Sequence, residues 1–176
     1  MATTKWVLDP THSEVQFKVK HLVISTVTGA FKSFEGSLET DSDDFQNAKV
    51  NITLDVNSID TNQEQRDGHL KSGEFFDAEK YPKISFTSTS LTKDGDDYKL
   101  TGDLTIKEVT KPVTLDVEFG GSAADFYGNT KAGFDVTGKI NRKEFGLTWD
   151  GVTEAGAIVV GEDIKLHASV QFAKQA

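Results

Sequence analysis

The feature that most constrains this chain is alternation. Val50, Ile52, Leu54 and Val56 are separated by Asn51, Thr53 and Asp55, and Val113, Leu115, Val117 and Phe119 by Thr114, Asp116 and Glu118. Ile164, Leu166, Ala168, Val170 and Phe172 alternate with Lys165, His167, Ser169 and Gln171, and Val15, Phe17 and Val19 with Gln16, Lys18 and Lys20. Weaker copies run through Ile84 and Phe86, Tyr98 to Ile106, and Ala132 to Ile140. A period of two gives each segment one dry and one wet face, as in antiparallel strands that cover a core on one side and meet water on the other. The expected fold class is all-β. About eight such strands in one chain suit an up-and-down barrel, because full closure removes exposed sheet edges; a two-sheet sandwich satisfies the same alternation.

Turn chemistry separates the strands. Asp94-Gly95 is a hairpin signal, and Lys111-Pro112 and Gly120-Gly121-Ser122 read as further breaks. On this reading no proline interrupts a strand interior. Gly102 and Gly138 fall on the dry phase, where they mark either corners or space for a ligand. One segment does not alternate. Thr61-Asn62-Gln63-Glu64 fits a capping box, followed by a short helix from about 62 to 71, the pair Phe75-Phe76, and Tyr81-Pro82. Such a crossover either caps an open barrel end or runs over the surface with Phe75 and Phe76 tucked into the core. No repeat, low-complexity tract or linker divides the chain, so residues 1–176 read as a single domain.

Composition excludes several functions. With 19 basic and 28 acidic residues the net charge is −9, which disfavours nucleic acid and electrostatic docking on anionic lipid. Cysteine is absent, so there is no disulfide framework, thiolate metal site or thiol nucleophile. No apolar run approaches the ~18 residues of a spanning helix, so no membrane-spanning segment is expected. The N-terminus lacks a secretory signal. As written the chain reads as cytoplasmic; a processed periplasmic protein would read the same.

Candidates for chemistry are few. The histidines His12, His21, His69 and His167 share no zinc-ligand spacing, so neither a metal nor a cofactor is expected. His167 lies on a wet phase, whereas His21 shares the dry phase of Val15, Phe17 and Val19. Asp9, His12 and Ser13 suggest a triad, but a triad is assembled from distant segments and Ser13 has no nucleophile elbow. Asp9-Pro10-Thr11 reads instead as a turn. Arg66 and His69 share one face of the short helix at i, i+3.

Longer motifs carry a resemblance. Trp6, Leu8, Asp9, His12, Ser13, Val15, Phe17 and His21 match the opening signature of the YceI-like family. Ser58-Ile59, Thr61, Arg66-Asp67, His69-Leu70, Ser72, Phe75-Phe76-Asp77, Tyr81-Pro82, Ile84 and Phe86 resemble its central signature. Gly102, Leu104-Thr105-Ile106, Val109-Thr110 and Pro112-Val113 resemble a third block, and Arg142, Phe145-Gly146 and Val160-Gly161 a fourth. Glu108 stands where the family usually has Gly, and Glu144 where Asp is common; both read as local turn changes.

The resemblance implies an extended, lipocalin-like antiparallel barrel whose interior holds a long apolar amphiphile such as a polyisoprenoid, quinone or fatty amide. It also implies a homodimer and brings no enzymatic activity. The expected function is a non-enzymatic binding or transport protein for such a lipid. The expected lining is Phe17, Val19, Ile52, Leu54, Phe86, Leu104, Ile106, Phe134, Val136 and Phe172, with Phe75 and Phe76 from the crossover. His21, Arg66 and His69 are the candidate contacts for a polar head. The alternatives are an enzyme acting on a small apolar substrate in the same cavity, or a ligand-free structural barrel.

Overall fold

The structure, a computed structural model, describes residues 3–21, 25–41, 45, 47–73, 75–124, 126, 128–147 and 160–175; the side chains of residues 21, 25 and 160 lie outside the description. Eleven strands form one sheet. They are β1 (Thr4–Leu8), β2 (Glu14–His21), β3 (Ser25–Phe31), β4 (Phe34–Thr40), β5 (Lys49–Asp55), β6 (Ile59–Asp60), β7 (Lys83–Asp94), β8 (Asp97–Ile106), β9 (Val109–Ala124), β10 (Thr130–Asn141) and β11 (Val160–Lys174). One helix, α1 (Glu64–Lys71), lies in the crossover between β6 and β7.

The eleven segments reduce to a closed eight-stranded antiparallel barrel, because three long strands are each broken once. β1 and β2 run along the same edge of β11, Leu8 opposite Phe172 and Val15 opposite Ala168. β4 and β3 continue this pattern against β1 and β2, and β5 and β6 against β4 and β3. Each neighbour in the sheet is thus the next strand in sequence, and β11 closes the ring on the first. Only the strand phases that alternation marks as dry face inward, which is the reason the closed form holds the core.

The breaks are built from local polar chemistry. Asp9 and Asp55 accept hydrogen bonds from the backbone N–H groups of Thr11 and Asn57 at 3.1 and 3.0 Å, turns that short polar side chains favour. Where β1 gives way to β2, the Gln171 peptide of β11 would lose its partners. Its carbonyl instead accepts from the Asp9 N–H at 2.8 Å, and its N–H donates to Ser13 Oγ at 2.9 Å. Ser13 is therefore committed to the backbone of the sheet.

Two expectations about breaks are corrected. β9 runs unbroken through Pro112 and through Gly120-Gly121. Pro112 lies opposite Asp103 of β8, but β9 pairs with β10 only from Asp116 onward. Among the described residues that edge has no neighbour at Pro112, so a residue lacking an N–H is tolerated inside the strand. Gly121, at φ +107°, sits beside the register shift between Gly133 and Phe134, so it makes a bulge rather than an end. Asp94 and Asp97 do pair across a two-residue turn with Gly95 at φ +66°. Among the described residues no helix is long and apolar enough to cross a membrane.

Asp9 also ties this corner to the far side of the sheet. Its Oδ2 receives Lys131 Nζ of β10 at 2.6 Å and meets His12 Nδ1 at 2.8 Å, and Thr11 Oγ1 donates to Oδ1 at 2.7 Å. Lys131 first, then Thr11 and His12, hold the Asp9 carboxyl well below the usual carboxylate range. A depressed folded-state value stabilises the fold fully above the unfolded value of about 4, and the contribution drains away as the pH falls below it. Asp9→Asn is expected to cost about 1–2 kcal/mol near neutral pH. The gap in melting temperature between wild type and variant should close between about pH 4 and pH 2, as followed by circular dichroism.

Candidate functional site

The inward side chains leave one apolar bore of about 610 Å³. Its wall carries Phe17 and Val19 of β2, Ile52 and Leu54 of β5, Phe86 of β7, Leu104 and Ile106 of β8, Phe134 and Val136 of β10 and Phe172 of β11. The structure therefore gathers on one surface the residues that alternation assigns to the dry phase. Arg66 and His69 of α1, with Phe75 and Phe76 just after it, stand at one end of the same bore. His21 is a β2 residue whose side chain lies outside the description. His167 is exposed, as its wet phase requires.

Glycines decide how the large side chains lie. A Cβ built on Gly29 would fall 2.3 Å from the Phe17 ring, one on Gly102 2.5 Å from the Phe86 ring, and one on Gly138 2.3 Å from Leu115 Cδ2. Each large residue thus lies over a bare patch of its neighbour's backbone. The dry-phase glycines supply neither ligand space of their own nor merely corners; they let Phe86 and Leu115 lie flat against the wall.

The end of the bore near α1 is the polar one. Thr61, 3% exposed, donates from its N–H and from Oγ1 to Asp67 Oδ1, while Arg66 Nε donates to Thr61 Oγ1 at 2.8 Å and Nη2 to the Thr61 carbonyl at 2.6 Å. This network replaces the expected capping box. The helix begins at Glu64 rather than 62, its N-cap is Gln63, and no side chain caps it, because Thr61 is turned inward to bond Arg66 and Asp67. The crossover covers the barrel end and also buries aromatic surface: Phe75 is buried, its ring 5.2 Å from His69, and Phe76 meets Phe31 edge-on at 6.3 Å. Tyr81 anchors it. Its hydroxyl donates to Glu108 in the β8–β9 turn, and that carboxylate, with burial, pushes the Tyr81 phenol up to about 12. Glu108 is therefore more than a turn substitution; it pins the crossover.

Arg142, absent from the expected lining, is also at this level. It is 1% exposed and donates from Nε to the Gly161 carbonyl at 2.8 Å and from Nη1 to that of Leu147 at 2.7 Å. The guanidinium thereby joins Leu147, beyond β10, to Gly161 of β11. Its only sequence signal is its place in the fourth family motif.

The opposite end is shut by aromatic rings. Phe45, in the link between β4 and β5, reaches back under the barrel at 3% exposure. Its ring lies 5.3 Å from Trp6, 5.5 Å from Phe119 and 5.3 Å from Phe134, which it meets at 90°. Phe134 in turn contacts Phe172 at 6.1 Å. Among the described residues no cluster of three or more His, Cys, Asp or Glu is placed to hold a metal.

Comparison with known proteins agrees with this architecture. A family model for the YceI-like domain matches residues 6–172. A UPF0312 protein of Staphylococcus aureus (strain N315) is 41% identical over 170 residues, 96% of this chain and 97% of the relative. The crystal structure of the Campylobacter jejuni YCEI protein is 35% identical, covering 89% of this chain and 90% of that one, with a TM-score of 0.74. A polyisoprenoid binding domain from Saccharophagus degradans, implicated in plant cell wall breakdown, shares the fold at a TM-score of 0.67 and 15% identity, covering 97% of this chain and 98% of its own.

The glycine contacts separate two substitutions of the same size. In Gly102→Ala the new methyl meets the Thr87 carbonyl at 2.6 Å and Ser88 Cα at 2.8 Å, both backbone, so a loss of about 1–3 kcal/mol is expected. In Gly138→Ala it meets the movable tip of Leu115, which swings into the bore at a cost below about 1 kcal/mol. Thermal melts should show the first loss, and reduced uptake of an apolar fluorophore at nearly unchanged stability should show the second.

Proposed function

The chain belongs to the YceI-like family, and from that premise we propose that it is a non-enzymatic carrier of a long apolar amphiphile, of the polyisoprenoid, quinone or fatty-amide type, held inside the barrel. The observation that carries this reading is the bore itself: its inward wall is built of apolar side chains, rings close one end, and Thr61, Arg66 and His69 gather at the end that α1 covers. The fold shared with a domain named for polyisoprenoid binding supports the ligand class.

Physical chemistry narrows the mode of action. Burying one CH₂ from water is worth about 0.8 kcal/mol, so a tail of tens of carbons would nominally exceed the ceiling of about 18–21 kcal/mol on noncovalent affinity. The donor must therefore be a bilayer or micelle, where the tail is already dry. Transfer is then nearly neutral for the tail and is opposed by its ordering. Selection falls to the polar groups at the mouth and to the dimensions of the bore. The groups nearest the mouth are occupied in holding one another, Arg66 on Thr61 and Thr61 on Asp67, which suits recognition of a head group better than proton transfer.

An apolar ligand is expected to co-purify at defined stoichiometry, detected by mass spectrometry of an organic extract against a mock purification. Extracts from independent preparations holding only buffer and detergent species would overturn the carrier reading. A ligand that binds the folded barrel and not the unfolded chain stabilises the fold by mass action. Protein stripped of ligand should therefore melt several degrees lower and recover when lipid is restored.

A further inference from the structure

We infer that the outward face of β9, β10, β11 and β2 is a self-complementary charged surface, on which a second copy of this chain docks with its strands running the opposite way. The surface is independent of what the bore holds. Register stacks the outward residues of these strands into rows. Lys139, Lys165 and Lys18 stand directly opposite one another on β10, β11 and β2. Two residues further from the α1 end, Asp116, Thr137, His167 and Gln16 form the next row. Two further again come Glu118, Asp135, Ser169 and Glu14. The lysines of the first row and the acidic residues of the third are all exposed.

Like charges directly opposite destabilise a sheet, and the neighbouring wall avoids them. Across β8 and β9 the outward pairs are Lys99 on Asp116, Thr101 on Thr114 at 3.1 Å and Thr105 on Thr110 at 2.8 Å. On this face three lysines stand side by side, and Glu118 stands opposite Asp135. Of Lys18, Lys139, Lys165, Glu14, Glu118 and Asp135, only Lys139 has an ion pair among the described residues, with exposed Asp163 at 3.7 Å. Such stacking works against the single chain and suits a second one.

Symmetry fixes the fit. On β10 the lysine and acidic rows are four residues apart, about 14 Å at about 3.4 Å per residue, with the His167 row midway. A two-fold axis along that middle row, in the plane of contact, exchanges the outer rows and closes the pair. Lys139 then faces the second copy's Asp135 and Lys18 the second copy's Glu14, each twice by symmetry. Lys165 falls between those carboxylates. An axis along the strands would instead set lysines against lysines. Because the axis runs across the strands, the α1 ends of the two barrels point in opposite directions. The patch spans about 14 Å by 14 Å, with strands about 4.8 Å apart, which puts the association at the weak end of specific interfaces.

Sedimentation velocity of the full chain tests this at about 0.15 M salt, where a Debye length of about 8 Å screens the net charge of −9 on each copy but not charges in contact. Wild type is expected to dimerise at concentrations on the order of 0.1 mM. K18E/K139E leaves acid on both outer rows, and E14K/D135K leaves base on both; each should weaken self-association about tenfold or more. An equimolar mixture of the two should recover the dimer, because every reversed charge regains an opposite. Within one chain the reversals relieve Lys18 against Lys165 and Asp135 against Glu118, so melting temperatures should stay close to wild type. Should a reversal fail to fold, the milder K18Q/K139Q should weaken association several-fold. Wild type that stays monomeric to about 1 mM would overturn the inference, and retention of that monomer on phosphatidylglycerol vesicles would assign the lysine row to an anionic lipid surface instead. A dimer that survives both reversals would overturn the choice of face. A mixture that stays monomeric would overturn the pairing of opposite rows.

Discussion

Everything distinctive about this molecule depends on large side chains lying flat. An eight-stranded barrel is only just wide enough for its inward residues to meet in the middle, so a wall of Phe, Leu and Ile would ordinarily fill it. Here four large members of the wall have glycine beneath them: Phe17 over Gly29, Ile52 over Gly36, Phe86 over Gly102 and Leu115 over Gly138. Each ring or branch gains its contacts from a neighbouring backbone instead of from the far wall. The bore stays open because the packing is lateral. Interiors normally reach the density of organic crystals, and this one does so in the wall while leaving the axis free.

Much of this was legible in the sequence, and what was not has a physical reason. The period of two placed Phe17, Ile52, Leu104, Val136 and Phe172 on one surface because strand geometry makes side-chain direction a function of parity alone. Gly102 and Gly138 were visible as dry-phase glycines, but the side chain that covers each comes from an adjacent strand, and pairing register is not a local property. Pro112 was misread for the same cause: whether a proline breaks a strand depends on whether a neighbour needs its N–H, and among the described residues β9 has no partner on that edge until Asp116. Thr61 carried a valid local capping signal, overridden by burial that made Arg66 and Asp67 its partners.

Phe45 is the instructive omission. It sits in a polar link with no alternation around it, and its backbone adopts φ +61°, a conformation that bulky residues seldom take. Nothing in the local pattern distinguishes it from an exposed loop aromatic such as Phe126. Its role exists only once the barrel has closed and presents Trp6, Phe119 and Phe134 as a socket. The unfavourable backbone is held in place by that socket, as strained positions generally are by over-determined surroundings.

The two ends of the barrel are thus made by different forces, and this gives the bore a direction. At the plugged end, buried rings meet at edge-to-face and tilted angles, contacts worth about 0.5–1.5 kcal/mol apiece beyond the area they bury, and among the described residues no charged side chain has a contact with the stack. At the other end the closure is polar: a crossover held by Arg66 to Thr61, Thr61 to Asp67 and Tyr81 to Glu108, and beside it Arg142 bound to the carbonyls of Leu147 and Gly161. An amphiphile in such a bore favours a head at α1, because the described part of the ring stack offers a polar group little beyond one buried donor, Trp6 Nε1. In the proposed carrier the tail enters first and the head remains at α1. The residues that judge the head and those that judge the tail are then separated by the full length of the barrel, so each can change without altering the other.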